Sequence, residues 1–267
     1  MSFKLGEFNL KEDSTHDTNG WITSSIFFLH PEYDDVDIIN DLCLVYVSSP
    51  IEFNQYVNEA CLPEVSAVPQ SLPQPGTECF IAGWGVEDYD SESHPSILKE
   101  AAVPIIDIGT CGRWFVAQAG STAVANGGRR RRTVDLDDIV NDLEVVSDES
   151  LLTGYDDPIS KDILYTNLPG DRLMCAGYVY GHVDACQGDS GGPLICVVND
   201  RPVLYGVVSW GVECGRARSP GVYVRVEYYL DWIAAQTNIT IDYAERNAAV
   251  QIASLGTLFT VVLSSLL

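Results

Sequence analysis

The residues around Ser190 have the types and spacing of a reactive serine. Residues 188–192 read Gly-Asp-Ser-Gly-Gly, within the longer run DACQGDSGGP at 184–193. A serine hydroxyl is a weak nucleophile unless a tight, glycine-flanked turn holds it and directs backbone N–H groups at the developing oxyanion. Because many glycine-rich turns contain a serine by chance, this run alone makes Ser190 no more than a candidate nucleophile.

Nine short motifs, in a fixed order along the chain, carry a family resemblance. They are GEFNL at 6–10, HPEY at 30–33, NDL at 40–42, CLP at 61–63, GWG at 83–85, MCAG at 174–177, GDSGGP at 188–193, SWG at 209–211 and PGVY at 220–223. With them the chain resembles the chymotrypsin-like (trypsin-like) serine endopeptidases over about residues 2–114 and 160–236. The resemblance implies an all-β fold, a double antiparallel β-barrel with a C-terminal helix, whose first barrel is incomplete here.

The resemblance also implies roles for three residues at the reacting bond. Ser190 matches the nucleophile, and the N–H groups of Gly188 and Ser190 match the two donors of the oxyanion hole. Asp41 matches the buried carboxylate that orients a catalytic histidine. Without the resemblance, Asp41 is better explained as a turn or strand-end aspartate.

The same resemblance implies a substrate class. Asp184 matches the floor of the primary specificity pocket, where an unpaired carboxylate is costly until a substrate Arg or Lys fills it. Gly211 and Gly221 match open pocket walls, and Ser209, Trp210 and Gly211 match the edge that pairs with the substrate backbone. The expected partners are proteins or peptides with Arg or Lys at the cleaved bond, and protease inhibitors. A hydrogen-bonded structural carboxylate is the alternative for Asp184.

The family's catalytic histidine, which precedes the first matched motif in an Ala-Ala-His-Cys context, has no counterpart in the sequence. Loss of a triad member costs about 10⁴- to 10⁶-fold in rate in comparable enzymes. We therefore expect this chain to be nearly inactive, either as an N-terminally incomplete protease or as a dead homologue that binds proteins through the same cleft. Truncation is favoured because the signal peptide, activation site and histidine would all lie in one upstream stretch.

Four histidines are present in other contexts. His16 lies in an acidic loop and His94 in the loop after the GWG motif. His30 and His182 match positions that are not catalytic in the family, so we expect surface or turn roles for them. Asp189 matches the residue that pairs with a new N-terminal ammonium after zymogen cleavage, a partner we expect to be missing here.

The eight cysteines suggest an oxidising compartment. The resemblance implies the disulfides Cys79–Cys196, Cys111–Cys175 and Cys186–Cys214. Cys61 matches a position that links to a propeptide when one is present. Cys43 replaces a small apolar residue beside Asp41, where a buried free thiol is favoured over a functional one.

Short β-rich stretches separated by turn residues must position these groups. We predict strands at 21–29, 42–47, 79–83, 102–106, 193–198 and 203–210, and a helix at 227–235. The predicted organisation is the C-terminal part of a first barrel at 1–66, a second barrel with its helix at 67–236, an insertion at about 115–160 within it, and a tail at 237–267.

Composition excludes some function classes. The net charge of −23 argues against nucleic acid as a partner, and 46% hydrophobic residues can form a sizeable core. No cofactor is expected. Glu7, Asn9, Glu12 and Asp17 approximate the spacing of the family's calcium loop, but a solvated acidic loop is favoured, so no metal is expected either.

Two segments differ from the rest. Residues 117–158 include four arginines at 129–132, then nine acidic and no basic residues between 134 and 157. This composition predicts a solvated, flexible insertion rather than a processing site. Residues 247–267 carry no charge and are long enough to cross a bilayer, and NIT at 238–240 is a glycosylation acceptor. We therefore expect an extracellular or cell-surface protein attached through its tail, by a span or a lipid anchor.

Overall fold

A computed structural model describes residues 2–12, 20–24, 26–47, 49–63, 73–125, 168–237 and 259–260 of the chain. For 118–125 and 259–260 it describes the backbone alone. His16, Asp17, the arginines at 129–132 and the glycosylation acceptor at 238–240 lie outside these ranges, as does most of the uncharged tail. Among the described residues, no helix has the length and apolar character needed to cross a membrane.

The described elements are mostly strands. In chain order the strands are β1 (Ser2–Lys4), β2 (Trp21–Thr23), β3 (Ile26–Leu29), β4 (Cys43–Tyr46), β5 (Glu78–Gly83), β6 (Lys99–Ile106), β7 (Leu173–Ala176), β8 (Pro193–Val198), β9 (Arg201–Trp210), β10 (Gly221–Arg225) and β11 (Phe259–Thr260). Helix α1 (Ile108–Ala125) lies between β6 and β7. A 3-10 turn (Val226–Tyr229) leads from β10 into helix α2 (Leu230–Thr237).

Six strands close into an antiparallel barrel in the order β10-β7-β6-β5-β8-β9. On β5, Cys79 and Ile81 are buried whereas Phe80 between them is exposed, because successive side chains of a strand point to opposite faces. The interior is filled by side chains such as Val103, Leu194 and Tyr205. The predicted antiparallel β-barrel is therefore confirmed for this half of the chain.

The strands before β5 lie in two smaller sheets, β1-β2 and β11-β4-β3, and β11 of the second sheet comes from the tail. Leu44 of β4 is fully buried and belongs to the same apolar cluster as Leu62, Leu230 and Ile233. This cluster packs β4 against helix α2. It thereby fixes the position of Asp41, which lies two residues before β4.

The structure refines the predicted strands. The stretch predicted at 21–29 is two strands with different partners, since β2 pairs with β1 and β3 pairs with β4. Ser24 separates them, and its hydroxyl donates to the carbonyl of Tyr46. Sequence patterning did not predict β7 or β10, and both are buried along almost their whole length and lack polar alternation.

Helix α1 corrects the prediction of a flexible segment from residue 117, since it continues to Ala125. The carboxylate of Asp107 accepts hydrogen bonds from the Thr110 N–H at 2.8 Å and the Thr110 hydroxyl at 3.1 Å, which caps the first turn. Cys111 and Phe115 are buried and anchor the helix. The capping aspartate is the sequence signal that could have revealed this helix. Likewise, the helix predicted at 227–235 is a 3-10 turn followed by α2.

Three disulfides stabilise the barrel, and they are the pairs that the resemblance implies. Cys79–Cys196 joins β5 to β8, Cys111–Cys175 joins α1 to β7, and Cys186–Cys214 joins two loops near Ser190. Each such bond contributes about 2–5 kcal/mol in small oxidised domains. Cys43 and Cys61 are the remaining free thiols.

We expect alkylation of the non-reduced chain to modify two cysteines. Cys61 is partly accessible and should react in the folded protein. Cys43 is 4% exposed, and burial raises the pKa of its thiol, so it should react after unfolding. Intact-mass measurement with and without denaturant checks this prediction. No modification, or more than two modified cysteines in denaturant, would contradict the disulfide assignment.

Candidate active site

Buried polar contacts hold the loop that carries Asp41. Asn40 has a left-handed backbone conformation with φ of 56°. Its side-chain oxygen accepts a hydrogen bond from the Tyr229 hydroxyl at 2.9 Å, and its side-chain nitrogen donates to the Glu32 carbonyl at 2.7 Å. With its neighbour fixed on both sides, Asp41 is directed inward and is 4% exposed.

Among the described residues, the side chain of Asp41 has one hydrogen bond, from Ser209 of β9. The Ser209 Oγ lies 2.6 Å from Asp41 Oδ2. Burial raises the pKa of the Asp41 carboxyl, and the bond from Ser209 opposes that effect. A carboxylate can accept several hydrogen bonds, so Asp41 retains capacity for a further donor. Sequence reasoning placed Ser209 at the substrate edge and did not reveal this contact.

We expect Ser209→Ala to destabilise the fold by about 1–3 kcal/mol at pH 8, because it leaves a buried carboxylate without its donor. Loss of the donor raises the folded-state pKa of Asp41 further. The folded variant then binds a proton over a wider pH range than the parent, so the destabilisation grows as pH rises. Urea unfolding at pH 4.5 and pH 8 measures it, with Ser93→Ala as an exposed control. A pH-independent difference would contradict the explanation.

Ser190 lies exposed on a turn that backbone hydrogen bonds hold against β9. The Gly191 N–H donates to the Val208 carbonyl at 2.9 Å, and the Val208 N–H donates to the Gly192 carbonyl at 2.9 Å. Val208 directly precedes Ser209, so the turn of Ser190 and the partner of Asp41 share one strand. Within the described ranges, the Ser190 hydroxyl has no hydrogen-bond partner.

The carboxylate of Asp189 holds this turn by accepting hydrogen bonds from backbone N–H groups on its buried side. Its Oδ1 accepts the Gly85 N–H at 2.8 Å, and its Oδ2 accepts the Cys186 N–H at 2.9 Å. A Cβ at Gly83 or Gly85 would collide with this carboxyl, which explains both glycines of the GWG motif. No cationic side chain in the described part of the chain pairs with Asp189.

Two backbone donors flank Asp189. Neither the Gly188 N–H nor the Ser190 N–H has an acceptor among the residues that the structure describes. Gly188 has φ of 96°, a conformation that favours glycine. Two unpaired N–H groups beside a serine hydroxyl suit the stabilisation of an oxyanion formed at that serine.

Asp184 lies in a pocket between the loop that precedes Ser190 and the start of β10. Its carboxyl accepts hydrogen bonds from the backbone N–H groups of Ala185, at 2.9 Å, Gly215 and Gly221. Part of the side chain remains exposed, yet the surrounding protein desolvates the carboxyl and raises its pKa to about 7. The three backbone donors lower the pKa and the charge of Asp189 raises it. Among the described residues, no cationic side chain forms an ion pair with this carboxyl.

Tyr223 is a pocket residue that sequence reasoning missed. A Cβ on Gly221 would lie 2.9 Å from both the Tyr223 hydroxyl and Asp184 Oδ1, so this glycine leaves room between the two groups. The Tyr223 hydroxyl is buried and has no hydrogen-bond partner among the described residues. The sequence signal that could have pointed to Tyr223 is its position in the PGVY motif.

The end of β9 forms one side of the same cleft. Gly211 has open space where a side chain would lie, since the Glu213 carbonyl, 4.0 Å from its Cβ position, is the nearest group. The Trp210 ring packs against Phe115 of helix α1, with ring centroids 5.3 Å apart. Ser209, Trp210 and Gly211 are thus consecutive along the edge that sequence reasoning selected.

No described histidine contacts Asp41. His30 packs against Trp232, with ring centroids 5.0 Å apart, and burial lowers the pKa of its imidazole. His182 lies on an exposed loop between β7 and β8, and His94 on an exposed loop between β5 and β6. The described residues therefore include an exposed serine hydroxyl, two backbone N–H groups without acceptors and a buried carboxylate, but no imidazole beside that carboxylate.

Comparison with known proteins relates the chain to one family. The sequence model of the family described as Trypsin matches residues 4–135 and 141–233. Transmembrane protease serine 9 of Rattus norvegicus is 33% identical over 210 residues, which cover 78% of this chain and 15% of the relative. Transmembrane protease serine 11C of Mus musculus is 34% identical over 213 residues, which cover 79% of this chain and 37% of the relative. The chain thus spans well under half the length of either relative.

Proposed function

Because the chain belongs to the trypsin family of serine proteases and has its β-barrel fold, we propose that its cleft takes protein or peptide substrates for cleavage after Arg or Lys. The Asp184 carboxyl supports this proposal most directly. Three backbone donors hold it in the pocket, and its pKa of about 7 reflects burial without a cation. An entering guanidinium or ammonium would supply the missing charge. The Tyr223 hydroxyl, which has no hydrogen-bond partner among the described residues, lies near the same carboxyl.

The proposed reaction proceeds through an acyl-enzyme. The Ser190 Oγ bonds to the substrate carbonyl carbon, and the displaced electron pair forms an oxyanion that accepts from the Gly188 and Ser190 N–H groups. The serine proton passes to a base, which then protonates the leaving amine as the C–N bond breaks. Water hydrolyses the resulting ester. Asp41 would orient that base and stabilise its protonated form.

We further propose that this 267-residue chain alone is nearly inactive. Its described histidines all lie away from Asp41, so none can take the Ser190 proton in that arrangement. The same observation favours a second function, in which the cleft binds substrates or inhibitors without cleaving them. Both functions require cation binding at Asp184, and they differ in whether Ser190 becomes acylated.

Binding of p-aminobenzamidine, measured by its fluorescence, tests the proposed pocket without catalysis. The neutral amide analogue, p-aminobenzamide, has nearly the same shape and is the matched control ligand. We expect the cation to bind at least about 100-fold more tightly at pH 8, since a buried carboxylate favours a cationic partner. Equal affinities for the two ligands would overturn the proposed specificity.

We also propose an extracellular or cell-surface location, with attachment through residues 247–267. Three disulfides are typical of an oxidising compartment, and both relatives are named transmembrane proteases. Surface biotinylation of expressing cells, followed by phospholipase treatment, tests the proposal. Release by phospholipase indicates a lipid anchor, and retention in the membrane pellet indicates a span. Absence of biotin label would contradict the location.

A further inference from the structure

The side chain of His94 lies directly against Gly188. A Cβ placed on Gly188 would be 2.8 Å from Cε1 and 3.1 Å from Nδ1 of His94, and 3.3 Å from the α-carbon of Gly85. Gly188 is thus enclosed by an imidazole ring as well as by backbone. The sequence places His94 in a loop and gives no sign of this contact with a residue 94 positions away.

A hydrogen bond fixes the orientation of the His94 ring. Its Nδ1 lies 3.0 Å from the carbonyl oxygen of Trp84. Since a carbonyl accepts and cannot donate, Nδ1 must carry the proton. The side chain is otherwise exposed, so this bond and the contact with Gly188 determine where the ring lies.

The segment at residues 84–86, which contains Trp84, also fixes the peptide group that precedes Gly188. The Val86 N–H donates to the Gln187 carbonyl at 3.0 Å. In a trans peptide the carbonyl and the following N–H point in opposite directions, so the Gly188 N–H points away from Val86. Trp84 orients the ring, Gly85 contacts Gly188, and Val86 holds the Gln187 carbonyl.

Glycine needs such external restraint. Without a Cβ, Gly188 can exchange its φ of 96° for other conformations at little steric cost. Rotation of the Gln187–Gly188 peptide would turn its N–H away from Ser190 and place the carbonyl there instead. Contacts from outside the turn must therefore determine whether the N–H or the carbonyl of this peptide faces Ser190.

We propose that His94 is a positioning residue that restrains the Gln187–Gly188 peptide with its N–H presented beside Ser190. The proposal rests on the proposed function for the catalytic use of that N–H, but the restraint itself is independent of it. His94 acts through Gly188 and does not touch the substrate.

Amide hydrogen exchange tests the restraint directly. In His94→Ala, we expect the Val86 N–H to exchange about five- to tenfold faster, because the peptide that it holds opens more often. The Gly188 amide resonance should also shift or broaden. His94→Gln, whose side-chain amide can donate to the Trp84 carbonyl, should restore both signals, and Ser93→Ala in the same loop should leave them unchanged. Parent-like exchange and resonances in His94→Ala would overturn the proposal.

An arginine-like boronic acid tests the catalytic consequence. The Ser190 Oγ bonds to boron and its proton is released, so the boron becomes a tetrahedral anion with an oxygen at the oxyanion position. His94→Ala should weaken boronate binding about five- to tenfold and leave p-aminobenzamidine affinity unchanged, with His94→Gln restoring the difference. Equal losses for both ligands would overturn the positioning role. If the parent chain binds the amidine but not the boronate, the proposed role of Ser190 fails, and the exchange measurements alone decide the restraint.

Discussion

Asp184→Asn should remove detectable p-aminobenzamidine binding and, at pH 8, stabilise the fold. The pKa of Asp184 is about 7 in the folded chain, compared with 3.8 for an ordinary aspartate. Between these values the folded chain holds a proton that the unfolded chain releases. Stability of the parent therefore falls as pH rises from about 4 to 7, by on the order of 4 kcal/mol in total.

The asparagine of the variant does not titrate. The extra stability of the variant over the parent should therefore grow as the pH rises from about 4 to 7. We expect about 2–4 kcal/mol at pH 8 and little near pH 4, since asparagine also accepts from the backbone donors. Urea unfolding across this range measures it. Asp200→Asn is the control, because Asp200 is exposed and its φ of 60° suits asparagine. Parallel pH profiles for the parent and Asp184→Asn would contradict the prediction.

Ligand binding should depend on the same titration. The parent should bind p-aminobenzamidine about 100-fold more weakly at pH 5 than at pH 8, because protonation of a group with a pKa of about 7 removes the charge that attracts the ligand. A pH-independent affinity would show that the cation binds elsewhere.

The second large effect concerns Ser190. We expect the 267-residue chain to hydrolyse Arg-containing peptides at least about 10⁴-fold more slowly than a protease with an intact triad, and no faster than its own Ser190→Ala variant. The reason is that, among the described residues, no histidine contacts Asp41 or hydrogen-bonds to the Ser190 hydroxyl, although the turn and its N–H groups are in place. Labelling of Ser190 by an Arg-directed fluorophosphonate should be correspondingly slow.

Supplying a first-barrel segment with an Ala-Ala-His-Cys motif in the same chain should restore labelling. Ser190→Ala in that longer chain is the control, and it should remain unlabelled. Rapid labelling of the shorter chain would show that another group acts as base. Failure of the longer chain to label, despite amidine binding, would favour the non-cleaving function.

Unusual local composition drew attention to Ser190, whereas Asp184 and Asp41 were selected through the family resemblance that the ordered motifs carry. The contacts that connect these residues were not accessible in the same way. The bond from Ser209 to Asp41 spans 168 positions, and the contact of His94 with Gly188 depends on how two loops meet. Sequence order carries no direct information about such pairs.

Secondary structure shows the same division. Strands β5 and β8 were predicted from β-rich runs between turn residues, whereas β7 and β10 were not predicted, and none of the four sequences alternates apolar with polar residues. Helix α1 was missed because its second half is built of small residues that resemble a linker. The cap from Asp107 shows that local chemistry can specify a helix even where composition is ambiguous.

The hydrogen bond between Ser209 and Asp41 also crosses the boundary between the barrel and the segment before β5. Asp184, Tyr223 and Ser190 are all carried by the barrel or its loops, while Asp41 comes from the segment before β5. Local opening at this boundary would separate Asp41 from Ser209 and leave the pocket around Asp184 in place. Under the proposed function, the molecule in that state would still bind a basic residue in the Asp184 pocket without cleaving it.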